Sequence, residues 1–271
     1  MSLSNTDLGR MLETAVVAAR LAGQRAMEEQ RYITRSIKNG NEMVTQADPI
    51  CQKIIIDQLR ETYPDHGFWA EEGTDGKPLK LTPRGHETTW WVIDPIDGTN
   101  NYASGLLCFS VSIAAFHEGR PVVAVIFDPA CEQMFTAVHG EDPQLNSTRI
   151  HVSDDALSKF TGFGIDSNTD PLTDNGVRMI AAKCRIRCLG STALHLAYVA
   201  RGALIGAVTT ASKLWDIAAG VLLIERAGGR VTDLAGNPIP PIDLENYDGR
   251  PYPILAAAAK THAELLKYFK P

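Results

Sequence analysis

Residues 90–101 read Trp90-Trp91-Val92-Ile93-Asp94-Pro95-Ile96-Asp97-Gly98-Thr99-Asn100-Asn101. The apolar run at the start of this stretch predicts a buried strand, and the Asp-Pro and Asp-Gly pairs after it predict a turn. Carboxylates at the end of a buried strand need compensation, because burying unpaired charge is costly, and a divalent cation can supply it. The alternative is a polar turn in which both aspartates are solvated.

A candidate phosphate contact follows the second aspartate of this stretch. Gly98 leaves its backbone N–H unhindered by a side chain, and Thr99 adds a hydroxyl group. Both groups suit a phosphate oxygen. The sequence therefore places a phosphate contact beside a candidate metal site.

Length and composition indicate an ordinary globular protein. The chain has 271 residues, 44% of them hydrophobic and 21% charged, which is enough for one large α/β domain or two closely joined lobes. A net charge of -6 argues against a general nucleic-acid binder, since phosphate backbones need a basic face. We expect a cytoplasmic location, because neither a membrane-spanning run nor a signal peptide is evident. Five scattered cysteines favour free thiols.

Two further segments also place an acid beside an apolar run. Glu71 and Glu72 follow a short apolar strand at 67–70, and alternation along a strand predicts that only one of them joins a given site. Asp216 lies in the first turn of an apolar helix. The alternatives are a solvated strand end for the glutamates, and for Asp216 a favourable charge at a helix N-terminus, worth ~0.3–1 kcal/mol.

The order of predicted elements indicates a mixed α+β fold. Asp48 is predicted to cap a helix that runs to about Thr62, and capping alone is the alternative to a functional role. Three strands within 109–138 predict an antiparallel meander, and 150–153 predicts a short strand. Strands and helices then alternate. We expect one unit of two lobes, about 1–148 with the metal site and about 149–271 closing the substrate site.

Taken together, the segments resemble the signature motifs of the inositol monophosphatase family, the Mg-dependent, lithium-sensitive group of the fructose-1,6-bisphosphatase-like superfamily. The motifs are Glu71-Glu72, Trp91 to Asn100 and Trp215-Asp216-Ile217-Ala218-Ala219-Gly220. The resemblance covers roughly residues 10 to 265. It implies a layered α-β-α-β-α sandwich and a phosphatase that acts on a small phosphorylated metabolite. Relatives are commonly homodimers.

The resemblance also implies two to three Mg²⁺ ions and the residues that bind them. Glu71, Asp94 and the carbonyl of Ile96 resemble the ligands of one ion. Asp94, Asp97 and Asp216 resemble those of a second, so that Asp94 bridges the two. These are hard oxygen ligands, which Mg²⁺ prefers.

A third, weaker ion is implied near Glu71, with Asp48 reaching it through water. Gly98 and Thr99 would bind the substrate phosphate. Glu71, acting through Thr99, would position and deprotonate a water molecule, and Asp216 would lie on the leaving-group side. The resemblance implies no covalent intermediate.

The residues implied to bind substrate leave its identity open. They are Asp97, Gly98, Thr99, Gly190, Ser191, Thr192 and Thr209. Inositol-specific members have a glutamate at the position of Thr209, and Lys213 adds a cation that favours a second anionic group unless it simply faces solvent. Inositol 1-phosphate is the first candidate. Histidinol phosphate, fructose 1,6-bisphosphate, NADP and 3'-phosphoadenosine 5'-phosphate are alternatives, as is a regulatory interaction protein.

Overall fold

The computed structural model describes residues 3–38, 40, 42–167 and 171–269. Part of the turn predicted at 38–41 lies outside the described residues. Within them the chain forms seven α-helices and fifteen strands. The helices are α1 (Asn5–Glu29), α2 (Ala47–Thr62), α3 (Thr99–Ala103), α4 (Pro171–Ala181), α5 (Thr192–Ala200), α6 (Leu214–Arg226) and α7 (Ala259–Leu266).

The strands form an eight-stranded sheet, a five-stranded sheet and a separate hairpin of the first two strands. They are β1 (Arg35–Lys38), β2 (Glu42–Thr45), β3 (Gly67–Ala70), β4 (Leu79–Leu81), β5 (Thr89–Asp97), β6 (Ser110–His117), β7 (Arg120–Asp128), β8 (Gln133–Val138), β9 (Gln144–Leu145), β10 (Thr148–Arg149), β11 (Gly162–Ile165), β12 (Arg185–Arg187), β13 (Gly206–Thr209), β14 (Gly229–Asp233) and β15 (Ile254–Ala258).

The larger sheet has the order β10-β9-β8-β7-β6-β5-β3-β4. Its strands β6, β7 and β8 pair antiparallel, which confirms the predicted meander, whereas β3 and β5 are parallel. The smaller sheet has the order β12-β11-β13-β15-β14, with parallel pairs at its β12 end. The predicted strand at 150–153 is wrong, because pairing with β9 ends with β10 at residue 149.

Five layers of elements confirm the sandwich architecture. α1 and α2 cover one face of the larger sheet through an apolar cluster that includes Ala15, Ile55 and Ile113. α5 and α6 fill the space between the sheets, and α4 and α7 cover the outer face of the smaller sheet. All nine residues of β5 are buried, because both faces of this strand are covered. The strand that carries Asp94 and Asp97 is therefore held rigidly.

The two sheets come from successive parts of the chain. The larger is built from residues 67–149 and the smaller from residues 162–258. We propose that the boundary between the two lobes lies in the segment that joins these sheets. No helix among the described residues is long and apolar enough to cross a membrane.

Candidate metal centre

Three aspartates converge where β5 ends and α6 begins. Asp94, Asp97 and Asp216 each offer a carboxylate oxygen, and these oxygens lie within 4.8 Å of one another. Residues three apart in a regular strand face opposite sides, but the pairing of β5 with β6 shifts register between Asp94 and Asp97. This bulge turns both carboxylates to one site. The sequence predicted the strand end but not the bulge.

Asp97 is held by the N-terminal turn of α5. Its carboxylate accepts the N–H of Ala193 at 2.9 Å, the N–H of Thr192 at 3.2 Å and the hydroxyl of Ser191. The Ser110 hydroxyl lies 3.4 Å away. Burial raises the pKa of Asp97 to about 6, although these donors lower it. Asp97 therefore connects the end of β5 to the start of α5 by hydrogen bonds.

Asp216 lies in the first turn of α6, as predicted. Its Oδ2 accepts the N–H of Lys213 at 2.7 Å, which satisfies a backbone donor at the start of the helix. Burial raises the pKa of Asp216 well above its usual value, and the negative charges of Asp97 and Glu71 raise it further. Within the described part of the chain, the charged groups that act on this carboxylate are thus acids rather than basic side chains.

Asp94 is the most enclosed of the three aspartates, with 1% of its surface exposed. Its Oδ1 accepts the N–H of Ile96 at 3.0 Å. Burial raises the pKa of Asp94 well above its usual value, and the charges of Glu71, Asp97 and Asp216 add to this effect. An acid surrounded by acids indicates that a cation belongs at this position.

Glu71 and Glu72 both contact Lys38 from the β1–β2 hairpin. The Lys38 ammonium lies 2.9 Å from Glu71 Oε1 and also contacts Glu72 Oε1. Only Glu71 of the pair lines the cavity that holds the aspartates, so the prediction that one of the two joins the site is confirmed. Strand alternation is not the reason, because β3 ends at Ala70.

Asp48 does not cap α2, so that prediction is wrong. The helix begins at Ala47, and Asp48 turns back so that its Oδ2 accepts the N–H of Thr45 at 2.9 Å and the Thr45 hydroxyl at 2.6 Å. Its Oδ1 accepts the Thr99 hydroxyl at 3.2 Å. Burial raises the pKa of Asp48 to about 6. Asp48 therefore holds Thr99, whose hydroxyl also lies 3.0 Å from the carbonyl of Ile96.

Gly98 and Thr99 line the same cavity as the aspartates, which has a volume of about 660 Å³. Gly98 has φ 96°, and a Cβ there would lie 3.0 Å from the carbonyl oxygen of Gly190. Only glycine adopts this backbone conformation in so little space without strain. The local fold thus brings the backbone at Gly98 close to the start of α5.

A second cavity of about 200 Å³, the adjoining pocket, shares Asp216 with the metal centre. The predicted substrate residues Gly190, Ser191 and Thr192 line it, together with Asp166, Ser167, His195, Ala211 and Ser212. Thr209 is not among these lining residues. It is 4% exposed, and its hydroxyl donates to Asp166 Oδ2 at 2.5 Å. Sequence reasoning missed Asp166, whose signal was an acid at the end of the predicted strand 160–166.

The donor set of the centre fits a hard divalent cation. Glu71, Asp94, Asp97 and Asp216 supply only carboxylate oxygens. Among the described residues, no lysine or arginine forms an ion pair with the three aspartates. Lys38 is bound by the glutamates, and the Lys213 ammonium donates to the carbonyl of Gly249 at 2.8 Å. Buried carboxylates without a basic partner are costly, so a metal ion is the expected partner.

Comparison with known proteins assigns the chain to a family. The profile of the inositol monophosphatase family matches residues 7–270. The chain belongs to this family. It is therefore a phosphatase enzyme, and members of the family are generally Mg-dependent and bind phosphorylated substrates.

Individual relatives carry two kinds of name. The Nus factor SuhB of Escherichia coli K12 is 39% identical over 235 residues, which cover 83% of this chain and 86% of the relative. The crystal structure of the extragenic suppressor protein SuhB from Bartonella henselae is 30% identical with TM-score 0.86, covering 96% and 98% of the two chains. The IMPase of Thermotoga maritima is 31% identical with TM-score 0.82, covering 95% and 96%.

Proposed function

We propose that the protein hydrolyses a small phosphate monoester in a Mg²⁺-dependent reaction, with inositol 1-phosphate as the first candidate substrate. The observation that carries this proposal is the cluster of Asp94, Asp97 and Asp216 beside the backbone of Gly98 and Thr99. Acids without a basic partner attract metal ions, and a metal ion attracts a phosphate dianion. The two features therefore support a single reaction.

Two to three ions would be held by the carboxylates of Glu71, Asp94, Asp97 and Asp216 and by the carbonyl of Ile96. Asp48 would contribute to holding a third ion through water. Bound divalent ions supply positive charge to the phosphate and leaving oxygens and lower the pKa of a water molecule. The bulge in β5 and the first turns of α5 and α6 orient the carboxylates before any substrate binds.

The chain's own groups would then position the reactants. The N–H groups of Gly98 and Thr99 would donate to the phosphate oxygens. Glu71 would accept the proton of the attacking water, and burial raises the pKa of Glu71 toward the range in which a carboxylate is an effective base. The Thr99 hydroxyl is held by Asp48, so Asp48 would fix its direction. Water would attack phosphorus directly, the ester P–O bond would break, and the leaving oxygen would take up a proton from solvent and depart as the alcohol. No phosphorylated residue forms.

A second candidate function rests on the curated relatives' name, Nus factor SuhB. That name describes an interaction role rather than a substrate. We propose it as an alternative for this chain, in which binding to a macromolecular partner is the main activity. Homodimer formation and a cytoplasmic location remain predictions.

A substrate panel at fixed Mg²⁺ tests the proposal. We expect phosphate release, with the highest kcat/KM for inositol 1-phosphate and lower values for histidinol phosphate, fructose 1,6-bisphosphate, NADP and 3'-phosphoadenosine 5'-phosphate. p-Nitrophenyl phosphate provides an unspecific reference. Absence of turnover with every phosphomonoester would contradict the proposal and favour the interaction role.

A further inference from the structure

The adjoining pocket contains a chain of hydrogen bonds that ends at Asp166. Oδ2 of this residue accepts the Thr209 hydroxyl at 2.5 Å and the N–H of Thr210 at 2.7 Å. Both partners are donors, so Asp166 acts as an acceptor toward them, as an ionised carboxylate does. The single hydroxyl proton of Thr209 is therefore directed to Asp166.

The direction of this first hydrogen bond fixes the directions of the next two. Because the Thr209 hydroxyl donates its hydrogen bond to Asp166, its oxygen accepts the hydroxyl of Ser212, which lies within hydrogen-bond distance. The Ser212 hydroxyl is then committed as a donor, so its oxygen accepts the hydroxyl of Thr192 at 2.9 Å. Each hydroxyl carries one donor and two acceptor sites. This row of hydrogen bonds therefore uses the hydroxyl donors of Thr192, Thr209 and Ser212. Acceptor sites on their oxygens are left in the pocket.

The other described residues of the wall supply no positive charge. His195 is 3% exposed, and its Nε2 accepts the N–H of Leu189 at 3.0 Å. Burial lowers the pKa of His195 to about 4, so the ring is neutral at physiological pH. No lysine or arginine lines the adjoining pocket in the described part of the chain, whereas Asp166 and Asp216 both do.

We propose that Asp166 is a specificity-determining residue that makes the adjoining pocket select leaving groups with hydroxyl donors, as on a polyol, and reject a second phosphate group. The inference rests on the proposed phosphatase function and assigns the substrate side to this pocket. Thr209 acts in it through Asp166 and Ser212 rather than by lining the wall.

Two substrates of the same ring size test the proposal. myo-Inositol 1-phosphate carries hydroxyl donors, whereas cyclohexyl phosphate has none. We expect the wild type to prefer inositol 1-phosphate in kcat/KM, and we expect Asp166→Asn to reduce this preference by about tenfold, the effect of one hydrogen bond to a charged group. Thr209→Val removes the hydroxyl that joins Ser212 to Asp166, so it should reduce the preference by a smaller factor.

Asp155→Asn is the matched control. Asp155 also accepts a serine hydroxyl, from Ser153 at 3.0 Å, but lies outside the adjoining pocket, so its substitution should leave the preference unchanged. Circular dichroism establishes that each variant is folded. An unchanged preference in folded Asp166→Asn would overturn the proposal.

Binding of free myo-inositol separates this inference from the proposed function. Saturation-transfer NMR detects the contact without turnover. We expect a signal with the wild type that is lost in Asp166→Asn, and this result would support the pocket assignment even if no phosphate were released. Equal signals in the two proteins would overturn it, whereas turnover of p-nitrophenyl phosphate tests the phosphatase function alone.

Discussion

The metal centre and the adjoining pocket use aspartate in opposite ways. Asp94 and Asp216 contact other acids, and burial and mutual repulsion raise the pKa of both. Asp166 is also partly buried, but it accepts a hydroxyl and a backbone N–H. The metal centre therefore needs a cation from solution, whereas Asp166 already has donors from its own protein and orients the hydroxyls of the adjoining pocket. The partners of a carboxylate, rather than its presence, distinguish a metal ligand from a substrate contact.

The strongest test of this difference between the two regions is to neutralise one acid of the metal centre. Asp94→Asn keeps the shape of the side chain but removes a carboxylate charge that would hold the proposed ions. We expect kcat/KM to fall by about 10³-fold or more, because the charge stabilisation of the transition state is lost. Phosphate release measures the loss, and circular dichroism checks the fold. Near wild-type activity in this variant would show that Asp94 is not a ligand.

A smaller loss is expected where the phosphate contact lies. Gly98→Ala places a Cβ 3.0 Å from the carbonyl oxygen of Gly190 at φ 96°. The strain costs about 1–3 kcal/mol, and the backbone N–H groups are displaced. We expect a fall in kcat/KM of about 100-fold for every phosphomonoester alike.

Substrate preference distinguishes Gly98→Ala from a change in the adjoining pocket. Gly85→Ala is a matched control, since Gly85 also has a positive φ but its Cβ meets nothing within 4 Å. If Gly98→Ala altered the preference between inositol 1-phosphate and cyclohexyl phosphate, the two regions would not be separate.

Lys38 allows a test of the charge balance at the edge of the metal centre. Its side chain is 10% exposed and pairs with Glu71 and Glu72, so Lys38→Gln removes the cation that contacts both carboxylates. The melting temperature of the metal-free protein should fall, and the Mg²⁺ concentration for half-maximal activity should decrease by about threefold to tenfold. Lys53→Gln, on an exposed helix face, is the control. An increased Mg²⁺ requirement would contradict this account.

The smallest expected effect is a pH dependence of stability in metal-free protein. Burial raises the pKa of Asp97 to about 6 from 3.8, so the folded state holds a proton that the unfolded chain releases within this interval. The resulting stability is present below pH 4 and is lost as pH rises through about 6. Between pH 5 and 7.5, the melting temperature of wild type should fall by about 3 °C more than that of Asp97→Asn. Equal slopes would contradict the assignment, and added Mg²⁺ should reduce the difference.

The sequence predicted the parts of the metal centre that depend on local pattern. An apolar run that ends in Asp94 and Asp97, and an acid in the first turn of a helix at Asp216, were both visible in the residue order. The residue order does not show that these side chains converge, because their convergence depends on a bulge in β5 and on the packing of α6 between two sheets. The family resemblance supplied what local patterns could not.

Two predictions failed for physical reasons that a sequence does not show. Asp48 has the residue type and position of a cap, but α2 already begins at Ala47, the residue before it. The Asp48 carboxylate accepts the N–H of Thr45 instead. The strand predicted at 150–153 does not form, because pairing with β9 ends with β10 at residue 149. Asp166 was missed because its hydrogen-bond partners, Thr209 and Thr210, lie more than forty residues along the chain.

A Mg²⁺ titration of chelator-treated protein, with inositol 1-phosphate as substrate, tests the central claim most directly. The account predicts that phosphate release is absent with the chelator alone, rises with Mg²⁺ to saturation, and does not recover in Asp94→Asn at any Mg²⁺ concentration. The same rate of release with and without Mg²⁺ would contradict it.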